Sequence, residues 1–111
     1  MITYVIEFTP EAEEQLTTLI LDIARAASST TIGQRYVNAI VDHCETLSAF
    51  PKRGAMRDDI RLGLRLTNYR GRAVIAFSVD DTSATVSIIG IFYGGQDYER
   101  VLALDLDGPP E

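Results

Sequence analysis

The chain has 111 residues, of which 46% are hydrophobic and 23% are charged, and its formal net charge is −6. This length fits one domain with a hydrophobic core of its own, and the composition excludes wholesale disorder and fibrous classes. No apolar run approaches the roughly 20 residues that span a bilayer, and the first residues lack the pattern of a secretory signal. We therefore expect a cytoplasmic protein that does not enter the membrane.

The first predicted elements are a strand and a helix. Residues 2–8, ITYVIEF, alternate between two faces with the period of a strand. Thr9, Pro10 and Glu11 then supply a helix cap, a proline suited to the first helical position and an acid at the positive helix end. An apolar stripe at helical spacing follows, which predicts a helix that buries one face: Ala12, Leu16, Leu19, Ile20, Ile23, Ala24 and Ala27.

A second helix is predicted over residues 32–49. Residues 28–31, SSTT, interrupt the first helix and offer hydroxyl caps for the second. Phe50-Pro51 is expected to end the second helix. Its expected buried stripe consists of Ile32, Tyr36, Ile40, His43, Cys44 and Leu47. Two amphipathic helices joined by a short polar turn predict an antiparallel helical hairpin.

The remainder of the chain indicates a sheet. Strands are predicted over residues 60–69, 72–79 and 84–93, and the tight turns between them predict an antiparallel meander. The expected fold class is α+β: an N-terminal strand and an antiparallel helical hairpin packed on an antiparallel β-sheet. Residues 96–103 predict a short C-terminal helix. The domain would then cover residues 1–104, followed by an acidic tail at 105–111.

Several short motifs carry weak chemical signals. Gly94-Gly95-Gln96 is the tripeptide with which release factors hydrolyse peptidyl-tRNA, but Gly-Gly after a strand predicts first of all a turn with positive φ. His43 is the only histidine and Cys44 the only cysteine, so we interpret them as a hydrogen-bonded core residue and a buried structural thiol. The adjacent pairs Asp58-Asp59 and Asp80-Asp81 lack a third ligand at a useful spacing, so neither a metal nor a cofactor is expected.

Basic residues are concentrated in the middle of the chain. Residues 52–72 hold seven of the ten Lys and Arg against two acids, a local charge of +5 that leaves −11 for the rest. Such a patch can bind an anionic surface, stack with tyrosines on RNA bases, or serve as a protein interface, and it can also be a solvated face without a role. The candidates are Lys52, Arg53, Arg61, Arg65, Arg70 and Arg72, with Tyr69, Tyr93 and Tyr98.

The order of these segments resembles a known toxin family. Four stretches carry the resemblance, FTPEAEEQL, YVNAIVDHCETLSAFPKRG, LRLTNYRGRAVIAFSVDD and VSIIGIFYGGQDYERVL, which together extend from Tyr4 to Leu102. They are similar to the ParE branch of the RelE/ParE superfamily, the toxins of type II toxin–antitoxin modules. The Gly-Gly-Gln segment then corresponds to a His-Gly-x-Arg-Asp type sequence of the family, with Tyr93 at the histidine position, Gln96 at the arginine position and Asp97 retained.

The resemblance implies a toxin of a plasmid-stabilisation type, neutralised by a ParD-like antitoxin in a hetero-oligomer. ParE-like members inhibit DNA gyrase and need no catalytic residues, so the basic residues named above would bind the target. RelE-like members instead cut messenger RNA on the ribosome, and under that alternative Arg72, Tyr93 and Tyr98 would be the catalytic candidates. A toxin-like scaffold with another target, or one that has lost its target, stays open as a third interpretation.

Overall fold

The computed structural model describes residues 2–94 and residue 102, and its elements form two layers. Two helices pack against one face of a five-stranded sheet whose strand order is β1-β5-β4-β3-β2. In chain order the elements are β1 (Val5–Phe8), α1 (Pro10–Ala27), α2 (Thr30–Glu45), a 3-10 turn (Thr46–Ser48), β2 (Ala55–Met56), β3 (Arg65–Tyr69), β4 (Ala73–Asp80) and β5 (Thr85–Tyr93). The predicted α+β class is confirmed.

Both helices begin where the sequence predicts a cap. The Thr9 hydroxyl accepts a hydrogen bond from the Ala12 N–H at 3.2 Å, and Pro10 occupies the first turn of α1. The Ser29 hydroxyl accepts from the Ile32 N–H at 3.2 Å and starts α2. Two serines, Ser28 and Ser29, join the two helices of the predicted hairpin.

The prediction for α2 is wrong in its bounds and partly in its buried face. The helix covers Thr30–Glu45 instead of 32–49, and a 3-10 turn continues it to Ser48. Ile32, predicted to be buried, is 49% exposed. Gly33 is buried against α1 instead, and Val37 is buried in the core between the helices and the sheet. The close approach of Gly33 to α1 sets the rotation of α2, and this rotation turns Ile32 outward.

The sheet is mixed instead of antiparallel. The predicted meander of β3, β4 and β5 is confirmed, but β1 pairs with β5 in parallel, from Val5 opposite Thr85 to Phe8 opposite Ile88. Because α1 connects β1 to the rest of the chain, the first strand can enter the sheet in either direction, and alternation alone does not decide between them. The structure also adds β2, a two-residue strand without a sequence signal.

The strand predicted over residues 60–69 is wrong in its first half. Residues 60–64 form turns, in which the Leu64 N–H bonds the Arg61 carbonyl at 3.0 Å and the Asp58 carboxylate accepts from the Gly63 N–H at 2.7 Å. Gly63 has φ +80°, and Leu62 is 85% exposed. These local hydrogen bonds compete with sheet pairing, so the alternating leucines do not form a strand here.

Two apolar clusters stabilise the layers. The larger lies between the helices and the sheet and includes Leu19, Ile40, Cys44, Ile75 and Phe77. The smaller lies on the other face of the sheet: Ile60, Leu64, Ala76, Phe92 and Leu102. The predicted C-terminal helix over 96–103 and the tail at 105–111 lie outside the described residues except for Leu102, which is buried. No helix of the described chain is long and apolar enough to cross a membrane.

Candidate functional site

The basic residues do not form one face, because the structure divides them between opposite ends of β3. Arg65 begins this strand opposite Phe77, and Tyr69 ends it opposite Ala73. Four residue steps at roughly 3.3 Å each separate the two ends by about 13 Å. The predicted set therefore splits into a group at the start of β3, with Lys52, Arg53 and Arg65, and a group at its end, with Arg70 and Arg72.

The second group occupies the turn between β3 and β4, which we call the hairpin tip (residues 69–72). The Arg72 N–H donates to the Tyr69 carbonyl at 3.1 Å, and Arg70 and Gly71 have φ of +53° and +70°. Positive φ at both central residues is what a type I′ turn needs, and Asn-Gly is the preferred pair there. Arg70 is therefore an unfavourable residue for this turn. Its side chain is exposed to solvent.

Both arginines of the tip are exposed and positioned by neighbouring groups. The Arg70 guanidinium lies over the Tyr69 ring at 5.6 Å, a cation–π contact that limits its motion. The Arg72 carbonyl accepts from the Gly94 N–H at 2.9 Å, which ties the tip to the end of β5. The tip therefore presents two exposed cations to an anionic or polar partner, and the Tyr69 ring orients one of them, Arg70.

The first group is engaged within the molecule. Arg65 donates to the carbonyls of Lys52 and Arg53 at 3.1 and 3.3 Å, and Lys52 forms an ion pair with Asp81 at 2.7 Å. Arg53 donates to the Thr46 hydroxyl at 3.2 Å. Arg65 therefore has a structural role that the sequence does not reveal, since its charge is used to fix a loop.

Arg61 lies outside β3, although the strand predicted over residues 60–69 includes it. It lies in the turns that precede β3 and is partly buried. Its backbone carbonyl accepts from Leu64, and its backbone N–H donates to Arg57. The structure thus removes Arg61 from the hairpin tip and from the group at the start of β3.

An aromatic cluster lies beneath the hairpin tip on the helix side of the sheet. Tyr36 of α2 meets Tyr93 edge to face at 5.5 Å between ring centroids and Tyr69 at 6.1 Å. Burial raises the pKa of the Tyr36 hydroxyl, with smaller contributions from Tyr93 and Tyr69, and Arg72 opposes the shift. Tyr36 was predicted only as a core residue. Its contact with both site tyrosines depends on how α2 crosses the sheet.

His43 packs against the same cluster, with its ring 5.2 Å from that of Tyr69. The prediction of a hydrogen-bonded core histidine is wrong in one respect, because its buried Nε2 has no hydrogen-bond partner among the described residues. Burial lowers the pKa of His43, and the charge of Arg53 lowers it further. The neighbouring Cys44 is buried as predicted, and burial raises the pKa of its thiol to about 12.

Two of the three nuclease candidates come together. Ala73 pairs with Tyr93, so the backbone of Arg72, which directly precedes β4, lies next to the end of β5. Tyr93 is partly buried by its contact with Tyr36. Tyr98, the third candidate, and Gln96 and Asp97 lie outside the described residues. Gly94 has φ +69°, which confirms the turn predicted at the start of the Gly-Gly pair.

Comparison with known proteins agrees with this architecture. Residues 6–98 match the family profile described as "ParE toxin of type II toxin-antitoxin system, parDE". No curated protein sequence shows significant similarity to the chain.

Solved structures share the fold at low sequence identity. The chromosomal ParDE system of P. aeruginosa has 20% identity and a TM-score of 0.67, over 83% of this chain and 97% of that one. The RelBE2 toxin–antitoxin complex of Mycobacterium tuberculosis has 22% identity and a TM-score of 0.61, over 83% and 99%. The isolated E. coli RelE toxin has 13% identity and a TM-score of 0.54, over 92% and 96%.

The family profile extends from β1 through both helices and the whole sheet, so it covers the elements that position the hairpin tip and the aromatic cluster. The solved structures, at 13–22% identity, show that the fold is shared. The chain belongs to the ParE toxin family of type II toxin–antitoxin systems.

Proposed function

We propose that this toxin acts in the cytoplasm by inhibiting DNA gyrase, as a binding protein without a catalytic step, and that a ParD-like antitoxin neutralises it. The observation that carries the proposal is the ParE profile, which matches residues 6–98 and thus both helices and the sheet. The resemblance assigns gyrase inhibition to ParE-like toxins. No cofactor is needed for such an activity.

The hairpin tip is the surface that we assign to the target. Arg70 and Arg72 are exposed, whereas Lys52 and Arg65 already bind an acid or backbone carbonyls within the molecule. A residue with positive φ outside glycine, asparagine or aspartate is uncommon and costs free energy. An arginine at that position favours a role for its charge in binding.

Antitoxin binding is favoured by apolar side chains that the described chain leaves exposed. Phe50 is 64% exposed, Leu21 51% and Ile32 49%, and these residues lie on separate elements. An antitoxin that extends over several faces of the toxin could cover such residues in turn. The relatives from P. aeruginosa and M. tuberculosis belong to systems or complexes that contain both a toxin and an antitoxin.

A second candidate function is a ribosome-dependent messenger RNA endonuclease, and one observation favours it. The backbones of Arg72 and Tyr93 are neighbours at the start of β4 and the end of β5, which would bring a cation and a phenol within reach of one phosphate. Tyr98 would be a third participant. Against this function, the Nε2 atom of the nearby His43 is buried, and its lowered pKa keeps the ring neutral near pH 7, so it carries no imidazolium proton to donate.

Pulse labelling after induction of the toxin without antitoxin distinguishes the two functions. We expect DNA synthesis to fall before protein synthesis. The double variant Arg70→Glu/Arg72→Glu should lose this effect because it reverses both charges of the hairpin tip, while Arg35→Glu, an exposed site on α2, should keep it. An early fall in protein synthesis would favour the nuclease, and full toxicity of the double variant would remove the tip from target binding.

A further inference from the structure

A shallow cup lies at the end of the sheet remote from the hairpin tip. It has a volume of about 590 Å³ and is lined by Tyr4, Ala49, Phe50, Pro51, Lys52 and Arg53. We call it the Phe50 cup, because the Phe50 side chain is 64% exposed within it. A large aromatic side chain in contact with water has an unfavourable hydration free energy, which a binding partner would relieve.

The loop that carries Phe50 is held by contacts on both sides. Arg65 donates to the carbonyls of Lys52 and Arg53. Gly54 has φ +75°, and a Cβ added there would lie 2.2 Å from the Leu66 carbonyl oxygen, so only glycine allows the loop to approach β3 so closely. The loop is therefore fixed in position before any partner binds, which lowers the entropic cost of binding.

Hydrogen bonds also fix the polar rim of the cup. Asp81 accepts from the Lys52 ammonium and from the Tyr4 hydroxyl, both at 2.7 Å. These contacts depress the pKa of Asp81, with the Lys52 hydrogen bond as the larger cause. The Arg53 guanidinium lies 5.4 Å from the Phe50 ring centroid. The rim thus has one neutralised ion pair and one cation placed over an aromatic ring.

We propose that the Phe50 cup binds an acidic segment of a protein partner that inserts one large apolar side chain beside Phe50 and Pro51. The apolar floor matches that side chain, and Arg53, with Arg65 behind it, matches flanking carboxylates. Asp81 offsets Lys52, so the cup lacks the row of free cations that a nucleic acid backbone needs.

This inference rests on the antitoxin part of the proposed function, for which the exposed Phe50 was named, and it does not depend on gyrase as the target. The cup lies at the opposite end of β3 from the hairpin tip, about 13 Å away along the strand. A partner in the cup would leave Arg70 and Arg72 accessible. Failure of the gyrase proposal would therefore leave the cup untouched, and the reverse also holds.

Fluorescence anisotropy with labelled synthetic probes tests the proposal on the full chain. The main probe is a short peptide with one tryptophan between glutamates, and its counterparts carry serine for tryptophan or lysines for glutamates. We expect saturable binding of the first peptide alone. Phe50→Ser should weaken it about tenfold, as expected for a central aromatic contact, and Arg53→Gln by several-fold.

Leu62→Ser is the matched control, since Leu62 is an exposed apolar side chain outside the cup and should not affect binding. Chemical shifts of labelled protein should move at Phe50 and Arg53 on addition of the peptide. Equal losses in Phe50→Ser and Leu62→Ser, tighter binding of single-stranded DNA than of the peptide, or no saturable binding would each overturn the proposal.

Discussion

Arg70 combines an unfavourable backbone conformation with an exposed charge, to which we assign target binding. Its φ of +53° lies in the left-handed region, where an L-residue other than Asn or Gly costs roughly 1 kcal/mol. The following Gly71 meets the same requirement without cost. The cation–π contact with Tyr69 offsets part of the cost and holds the guanidinium in place.

Replacing Arg70 with asparagine should raise the free energy of unfolding by about 1 kcal/mol, because Asn-Gly is the preferred pair in a type I′ turn. The same variant should reduce toxicity, since it removes a cation of the hairpin tip. Urea denaturation measures the first effect, and growth after induction measures the second. A variant that is destabilised, or stabilised and fully toxic, would contradict this assignment of Arg70.

His43 makes stability depend on pH near neutrality. Because burial lowers its pKa below the ordinary value of 6.5, the fold favours the neutral ring over the imidazolium. The resulting stabilisation is present above about pH 6.5 and is lost as the pH falls towards the lowered value in the folded state. The depressed pKa values of Asp59 and Asp81 act in the same direction but in a more acidic range.

We therefore expect the wild type to lose more stability than His43→Gln between pH ~7.5 and ~5.5, a range that brackets the ordinary histidine value. Unfolding by urea at both pH values gives the difference. Glutamine cannot gain a proton in this range, so parallel losses in the two proteins would show that His43 is not the responsible group.

At the scale of elements, the contact between the two helices depends on Gly33. A Cβ at this position would lie 2.5 Å from the Ile20 carbonyl oxygen and 3.1 Å from the Ala24 backbone nitrogen, both in α1. Glycine in a helix interior normally destabilises by roughly 1 kcal/mol relative to alanine. The close approach of the helices is the reason that glycine is suitable here.

Gly33→Ala should destabilise the protein by about 2 kcal/mol, because forcing the helices apart outweighs the gain in helix propensity. Arg35→Ala is the control, as an exposed position in the same helix that gains propensity without a clash. Thermal unfolding compares the two variants. An increase in stability for Gly33→Ala would mean that α1 and α2 can separate at little cost.

The elements that the sequence predicts best are those with local signals. Thr9 and Ser29 define the helix starts because each hydroxyl caps backbone groups three residues away. The strands β4 and β5 follow from apolar runs bounded by turns. Residues 60–64 alternate apolar and polar side chains as a strand does, and the prediction there was wrong. The positive φ of Gly63 and its hydrogen bond to the Asp58 carboxylate stabilise turns instead.

Long-range arrangements could not be predicted in the same way. The parallel pairing of β1 with β5 joins residues 80 positions apart, and alternation contains no information on direction. The contacts of Tyr36 with Tyr69 and Tyr93 likewise depend on the crossing of α2 over the sheet. The basic residues are divided because Arg65 begins β3 whereas Arg70 and Arg72 follow its end. Arg61 lies outside the strand because β3 begins at Arg65 and not at residue 60, as predicted.

For the whole molecule, the distribution of charge separates two surfaces of different chemistry. The hairpin tip presents Arg70 and Arg72 to solvent, whereas the cations at the start of β3 hold the Phe50 cup together. We propose that one end of the sheet binds the target and the other a protein segment with an apolar side chain. A toxin that must bind both a target and an antitoxin could use such separate surfaces.

Gyrase inhibition is tested most directly with purified components. Toxin is added to DNA gyrase, relaxed plasmid and ATP, and supercoiling and DNA cleavage are followed on a gel. We predict that the wild type and Arg35→Glu reduce supercoiling and that Arg70→Glu/Arg72→Glu does not. Undiminished supercoiling at saturating wild-type toxin, together with cleavage of messenger RNA on programmed ribosomes, would contradict gyrase as the target.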